Sequence, residues 1–303
     1  MWGWKPECQG NDFLQIWGNL AIKRMFGSFD QGWIGALGDD GIVWYYQYGS
    51  KERLKLTTGA KDADYCQDRK EILVLTETGY IDCYEQRADD DKLFAIKKRL
   101  ANLPKVHAMA VSFSHVLFYT EGLNPIYVLG SNRYSQLGFD TTIQSVGDES
   151  IIPVEFFSGL MVQQASLACG PFHSAVVVDG ELYTFGWKKN GRLGWGNSFT
   201  SQTDDHDDVI GLVEFRNEQG ELVEDVYVIK VVCGTNHTMA LDDEGRVWTC
   251  GSNQYKQLGR ATQDDIDGST FDDVFRLCTA YTGFAIDCYA GRWNSFIITQ
   301  PHQ

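Results

Sequence analysis

The chain has 303 residues, 43% of them hydrophobic and 13% aromatic, enough apolar side chain to bury a core and too much for a disordered polymer. Its 26 Lys and Arg against 41 Asp and Glu leave a formal net charge of −15, a field that repels phosphate backbones and anionic lipid and suits a basic partner. The 31 glycines, six prolines and eight cysteines, no two cysteines forming Cys-x-x-Cys, exclude collagen, coiled coils and zinc or disulfide frameworks and suit short strands joined by tight turns.

In chain order, Met1–Glu7 lacks a basic stretch followed by an apolar run, and no window approaches about 18 uninterrupted apolar residues, so neither a leader nor a membrane helix is expected. Trp33 through Leu37 leads to Gly41-Ile42-Val43-Trp44, and Glu71 through Leu75 leads to Gly79-Tyr80-Ile81. Each reads as a strand, a turn and a second strand. Lys97-Lys98-Arg99, which follows Asp89-Asp90-Asp91, reads as a solvated helix or loop and only weakly as a nuclear-import signal.

Three stronger copies follow. His115 leads to Ile126-Tyr127-Val128-Leu129-Gly130, then through a loop to Gly138. Cys169-Gly170-Pro171-Phe172-His173-Ser174 leads to Leu182-Tyr183-Thr184-Phe185-Gly186, then to Gly194. Cys233-Gly234-Thr235-Asn236-His237-Thr238 leads to Val247-Trp248-Thr249-Cys250-Gly251, then to Gly259. The two closing glycines are eight residues apart in all three. Asp179-Gly180 and Glu244-Gly245 are hairpin signals. A final stem, Ala290-Gly291-Arg292-Trp293-Asn294-Ser295, carries asparagine for histidine. The anchors are thus 33, 71, 115, 173, 237 and 294. One such hairpin cannot bury its apolar faces alone, whereas a series of them can.

The stem Cys-Gly-x-x-His-[Ser/Thr], the strand ending in glycine and the loop Asn-x-x-x-Gln-Leu-Gly (Asn132 to Gly138, Asn253 to Gly259) resemble the regulator of chromosome condensation repeat. The loop at 187–194 departs from it, with Arg192 in place of glutamine. The resemblance implies an all-β chain: a β-propeller of six or seven four-stranded blades forming one domain over 1–303, with degenerate blades in 1–100 and clear repeats in 101–303. Trp2-Gly3-Trp4-Lys5 matches Phe185-Gly186-Trp187-Lys188, so the N-terminal strand is expected to close the last blade. The layout is closest to the small RCC-domain proteins. Of these, an animal member partners a JmjC histone-modifying enzyme, and a fungal member partners a small metal protein in the diphthamide and transfer-RNA modification pathways.

His173 and His237 recur at one repeat position. Metal ligation or base catalysis needs one site rather than one per blade, so their expected task is to hydrogen-bond backbone groups. Gly170, Gly186, Gly194, Gly234, Gly251, Gly259 and Gly291 complete the structural set, and Cys169 and Cys233 read as small buried residues. The glycine loops lack Gly-Lys-[Ser/Thr] and are no phosphate cradle.

Thr203 to Asp208 is the densest charge cluster and lacks the calcium-loop pattern. It reads as a solvated loop, or as a docking site for a basic partner through Asp204, Asp205, Asp207 and Asp208, with Trp195 and Arg216 beside it. Residues 213–223 read as strand, turn and strand: an ordinary blade extension, or an analogue of the wedge with which the family's exchange factor engages its GTPase. The resulting expectation is a non-enzymatic scaffold, a monomeric ring in cytoplasm or nucleus. It docks a basic or small regulatory protein through loops on one face, without cofactor, metal, nucleic acid or membrane. The alternative is a guanine-nucleotide exchange factor. Nothing pairs two acids as a propeller hydrolase requires.

Overall fold

The computed structural model describes residues 16–28, 30–50, 52–87, 93–148, 150–196, 209–260 and 270–300. The chain divides into two compact units, 1–101 and 102–303.

The first unit holds two antiparallel sheets. One is β1 (Ile22–Ser28), β2 (Trp33–Gly38), β3 (Val43–Gln47) and β4 (Leu54–Thr57); the other is β5 (Ala60–Cys66), β6 (Glu71–Thr76), β7 (Ile81–Gln86) and β8 (Phe94–Arg99). Trp33 is the centre of their core. Its indole meets the Tyr65 and Phe94 rings edge-on, each with centroids 4.7 Å away. The Lys97–Arg99 run is strand rather than helix or loop, because two of its charges face acids across the sheet. Lys97 Nζ lies 2.6 Å from Oε1 of buried Glu71, and the Arg99 guanidinium donates to both oxygens of Asp82 at 2.6 and 2.9 Å.

The second unit continues the pattern. Its strands are β9 (Val106–Val111), β10 (His115–Thr120), β11 (Ile126–Ser131), β12 (Ser145–Val146) and β13 (Ile152–Pro153); β14 (Ala165–Cys169), β15 (His173–Val178), β16 (Glu181–Gly186) and β17 (Ile210–Leu212); β18 (Val228–Cys233), β19 (His237–Asp242), β20 (Val247–Ser252) and β21 (Phe271–Leu277); and β22 (Ala285–Ala290) with β23 (Ser295–Thr299). The sheets β14–β17 and β18–β21 have four strands in sequence order. In the β9–β13 sheet the fourth place is split, β12 pairing Gly130 and Ser131 while β13 pairs Tyr127 and Val128. The described residues thus form six sheets, and the anchors 33, 71, 115, 173 and 237 each open the second strand of one.

Sequence chemistry accounts for the registers. β15 and β19 are buried along their whole length, as central strands carrying the apolar runs Ala175–Val178 and Met239–Leu241. Gly180 at φ 93 turns β15 back into β16, a backbone conformation that L side chains rarely adopt. Because neighbouring strands are antiparallel, every stem (first to second strand) and every loop after a third strand falls at one end of its sheet. The hairpins between second and third strands fall at the other. Residues 213–223 are not strand, turn and strand. They form a turn closed by one bridge, Arg216 to Leu222, with Val213 and Phe215 buried against Trp248 and Phe275. The N-terminal residues expected to close the last blade lie outside the described residues.

Candidate functional site: the stem-and-loop end

The repeat histidines are wholly buried. Their Nε2 atoms reach across to the following sheet. Each meets a hydroxyl at the start of the next sheet's second strand: His115 to Ser174 at 2.8 Å, His173 to Thr238 at 2.9 Å and His237 to Ser295 at 3.1 Å. The hydroxyl then donates to a loop carbonyl of the preceding sheet, on Gln136 at 2.7 Å, Arg192 at 2.7 Å and Gln257 at 2.6 Å. A hydroxyl has one proton, and it is committed to the carbonyl, so Nε2–H must be the other donor and Nδ1 the acceptor. At Ser112, where the other stems have glycine, a hydroxyl supplies Nδ1 of His115 at 2.8 Å. The Nδ1 atoms of His173 and His237 are buried without a partner.

Burial keeps these rings neutral. It lowers the pKa of His115 to about 3 and that of His173 well below 6.5; His237 is lowered to about 4 by burial, against an opposing pull from the Asn294 backbone. They are links between sheets, unsuited to proton transfer near neutrality.

The loops are clamped from within. Asn132 donates Nδ2 to the carbonyls of Asp140 and Ile143 at 2.9 and 2.7 Å and accepts from Leu137 N at 2.9 Å, while Gln136 accepts from Tyr134 N at 2.8 Å. Asn253 and Gln257 repeat the pattern with Leu258 and Tyr255. Arg192 takes the glutamine's place differently. Its guanidinium, wholly buried, donates to the carbonyls of Lys189 and Thr235 at 2.8 and 3.1 Å and lies 4.9 Å from the Trp187 ring centre. Burial lowers its pKa to about 10, which leaves it cationic.

Over this frame lies an aromatic cluster. Tyr134 stacks on Trp187 at 4.8 Å, and Phe172 meets both rings edge-on. Tyr255 and Trp293 make a looser, tilted contact at 6.0 Å and are 59% and 51% exposed. Beside the first cluster is a cavity of about 260 Å³, bordered by Lys188, Trp195, Phe271 and Asp273.

Of the candidate docking residues, Asp204, Asp205, Asp207 and Asp208 lie outside the described residues. Trp195 is buried, donates Nε1–H to Thr184 at 2.7 Å and borders the cavity. Arg216 pairs with Glu214 at 2.8 Å and holds the Gly220 carbonyl at 2.9 Å. The glycines behave as expected of crowded positions. A Cβ on Gly170 would stand 2.6 Å from the Gly234 carbonyl oxygen, and one on Gly234 would stand 2.7 Å from that of Gly291. Gly186, Gly194, Gly251 and Gly259 have positive φ. No group of acids, histidines and cysteines fit to hold a metal occurs among the described residues. The hydroxyl after the fourth stem position is the functional position that sequence reasoning passed over, although its recurrence as Ser174 and Thr238 after histidine and Ser295 after Asn294 was the available signal.

Successive antiparallel sheets, linked through their second strands by a buried histidine and hydroxyl, are the arrangement of a repeat propeller. Comparison with known proteins points to a family: residues 179–241 and 228–257 match the regulator of chromosome condensation (RCC1) repeat, so this part of the chain is built of RCC1 repeats. The chain is 32% identical over 160 residues to the X-linked retinitis pigmentosa GTPase regulator homolog of Caenorhabditis elegans, covering 52% of this chain and 10% of that one. It is 30% identical over 165 residues to the ultraviolet-B receptor UVR8 of Arabidopsis thaliana (53% and 32%), and 29% over 207 residues to the RCC2 homolog of Xenopus laevis (64% and 38%). The chain therefore spans well under half the length of these relatives. Among solved structures, Prp20p of Saccharomyces cerevisiae, studied for binding to Gsp1p and histones, superposes with a TM-score of 0.64 at 15% identity, covering 92% of this chain and 70% of that one. Human WBSCR16 gives 0.66 at 18%, covering 89% and 70%. At those identities the likeness establishes the fold alone. No helix among the described residues is long and apolar enough to cross a membrane.

Proposed function

We propose that the protein is a non-enzymatic scaffold of cytoplasm or nucleus, a single propeller domain that docks a protein partner on the stem-and-loop end of residues 102–303. The observation that carries this reading is the exposure of Tyr134, Tyr255, Trp293 and Phe113 together at that end. Large aromatic side chains exposed beside one another on a rigid frame are what interface cores are made of. The histidines beneath them are neutral and occupied in holding sheets together, which supports binding over chemistry.

The test is affinity capture from cell extract with quantitative mass spectrometry, comparing the intact chain with a Y255A/W293A variant. A stoichiometric partner lost from the variant supports the reading; an empty eluate at physiological salt removes it. Recovery of a JmjC-type enzyme would favour the chromatin branch, and of a small metal protein the diphthamide branch. Deleting residues 200–208 tests the acidic segment separately. Truncating the first ten residues tests the reading that they close the last blade. Exchange activity is the second reading, since the solved neighbour Prp20p was studied with Gsp1p. Unaccelerated release of a fluorescent guanine nucleotide from a panel of small GTPases would dispose of it.

A further inference from the structure

The hairpin end of the sheets in the second unit carries apolar side chains that the fold leaves uncovered. After β13 the chain turns at that end. Val154 N donates to the Ile126 carbonyl at 2.9 Å, a 3-10 turn follows over Glu155–Phe157, and Gly159 N donates at 2.7 Å to the carbonyl of Leu123, in the hairpin between β10 and β11. The segment then reaches the next sheet, where the Asp179 carboxylate accepts from the amides of Gln163 and Gln164 at 3.0 and 2.8 Å. Phe157 is wholly buried and anchors the turn. Around it Met161 is 89% exposed, Leu123 74%, Phe156 53% and Leu160 42%. The Phe156 ring is held in place, edge-on to Phe157 and Tyr183 at 5.0 and 5.4 Å. The charge around these four side chains is mostly negative. Glu121, Glu155, Asp179 and Glu181 are exposed, and exposed Glu224 and Asp225 follow beyond Gly180, whose carbonyl accepts from Val228 N at 2.9 Å. Residues 106–131 and 152–182 hold no Lys or Arg. Among the described residues, the basic groups at this end of the two sheets are Lys105, whose carbonyl accepts from Glu121 N, and His107, whose Nε2 lies 4.0 Å from Glu121. Farther along, Arg216, Lys230 and Arg246 each pair with a carboxylate of their own, on Glu214, Asp287 and Asp242.

We infer that this patch docks a basic amphipathic polypeptide segment, one with Lys or Arg on either side of aliphatic or aromatic side chains. The site lies at the opposite end of the sheets from Tyr255 and Trp293 and does not rest on the reading of that end as a docking surface. Large apolar side chains exposed together and rimmed by polar groups mark interaction sites. Methionine adapts its shape to what it meets, and a ring already fixed in place loses little freedom on binding. The acids then select among occupants. They repel nucleic-acid phosphates and anionic lipid, and a second copy of the chain packed patch to patch would set the same carboxylates against one another. A basic amphipathic segment gains from both features at once. Its apolar residues cover Leu123, Phe156 and Met161, while its cations face Glu121, Glu155 and Glu181, and the net charge of −15 draws it in from a distance.

The experiment measures fluorescence anisotropy on the full chain. Its probe is a labelled peptide whose Leu-Phe-Leu centre is flanked by lysines; its controls are the same peptide with serine at the centre and the same peptide with Glu for every Lys. The lysine peptide with the apolar centre binds, weakens as salt rises, and binds about tenfold more weakly to an L123S/M161S variant, whose changes lie at highly exposed positions. E155K weakens it as well and flattens its salt dependence. Y255A/W293A, at the other end of the sheets, leaves it unchanged, so this inference and the stem-and-loop reading fall separately. Circular dichroism checks that each variant stays folded. The inference is overturned if the peptide does not bind, if L123S/M161S binds it as tightly as the parent chain, if either control peptide binds as tightly, or if Y255A/W293A loses as much affinity as L123S/M161S. Light scattering of the chain alone and its sedimentation with phosphatidylcholine–phosphatidylserine vesicles cover the other occupants. Self-association or vesicle binding that L123S/M161S abolishes would assign the patch to a second copy or a membrane and overturn the inference equally.

Discussion

The hydroxyl between two sheets makes two bonds at once, which gives its removal a distinct signature. Thr238→Val keeps the side chain's shape but leaves His173 Nε2–H unsatisfied in the interior and the Arg192 carbonyl with only the weak Cys250 thiol donor at 3.5 Å. Each such loss costs about 1–3 kcal/mol, so the variant is expected to lose about 2–4 kcal/mol in chemical denaturation, while Thr238→Ser loses less than about 1. Equal losses from the two would show that the hydroxyl's bonds carry no weight. The histidines also set a pH response. Their folded pKa values lie below the ordinary 6.5, so the unfolded chain binds more protons between about pH 4 and 6.5. Their contribution is therefore complete above pH 6.5 and is lost as pH falls, at about 1.4 kcal/mol per pH unit for each ring. Asp64, raised by burial to about 6, works in the opposite direction as pH falls from 6 toward 3.8. A difference measurement isolates the rings: His237→Asn, copying the residue at 294, should flatten the stability slope between pH 5 and 6 by about 1.4 kcal/mol per unit. An unchanged slope would mean that His237 titrates normally in the fold.

At the scale of the blade, stems touch stems. The Cα of Gly234 faces the His237 ring on one side and the Gly291 carbonyl on the other, and a methyl group there would overlap the buried His237 ring and stand 2.7 Å from the Gly291 carbonyl oxygen. Gly234→Ala is thus expected to force the last two sheets apart and cost about 1–3 kcal/mol. Thermal melting checks it, with Gly220→Ala as the comparison, since nothing lies within 4 Å of a Cβ there and only its positive φ is strained. Much of this scale was legible in the sequence. The anchors 33, 71, 115, 173 and 237 each begin a second strand because the apolar run, the turn glycine and the next β-rich segment are local signals. Residues 97–99 and 213–223 were misread for one reason. Lys97 and Arg99 owe their strand to Glu71 and Asp82 on other strands, and Phe215 owes its place to Trp248 and Phe275, partners that no local pattern displays.

Across the whole molecule, the cysteines show what burial does to reactive groups. Burial pushes the thiols of Cys66, Cys233 and Cys288 up to about 12, and Cys250 well above its ordinary value. The thiolate is the reactive form, so brief iodoacetamide treatment of the native chain, read by mass spectrometry, should leave all four unmodified and label them after denaturation. Rapid native labelling of Cys233 would show that its stem opens. The sequence by itself determined the repeat, its strands and turns, and the identity of the linking histidines, because each is written in residues close together along the chain. Which atoms the histidines meet, and which charges and rings share one end, was decided only by the tertiary structure. Ser174, Thr238 and Ser295 are about 60 residues from their histidine partners, and it takes antiparallel pairing within each sheet to bring the stems and loops to the same side.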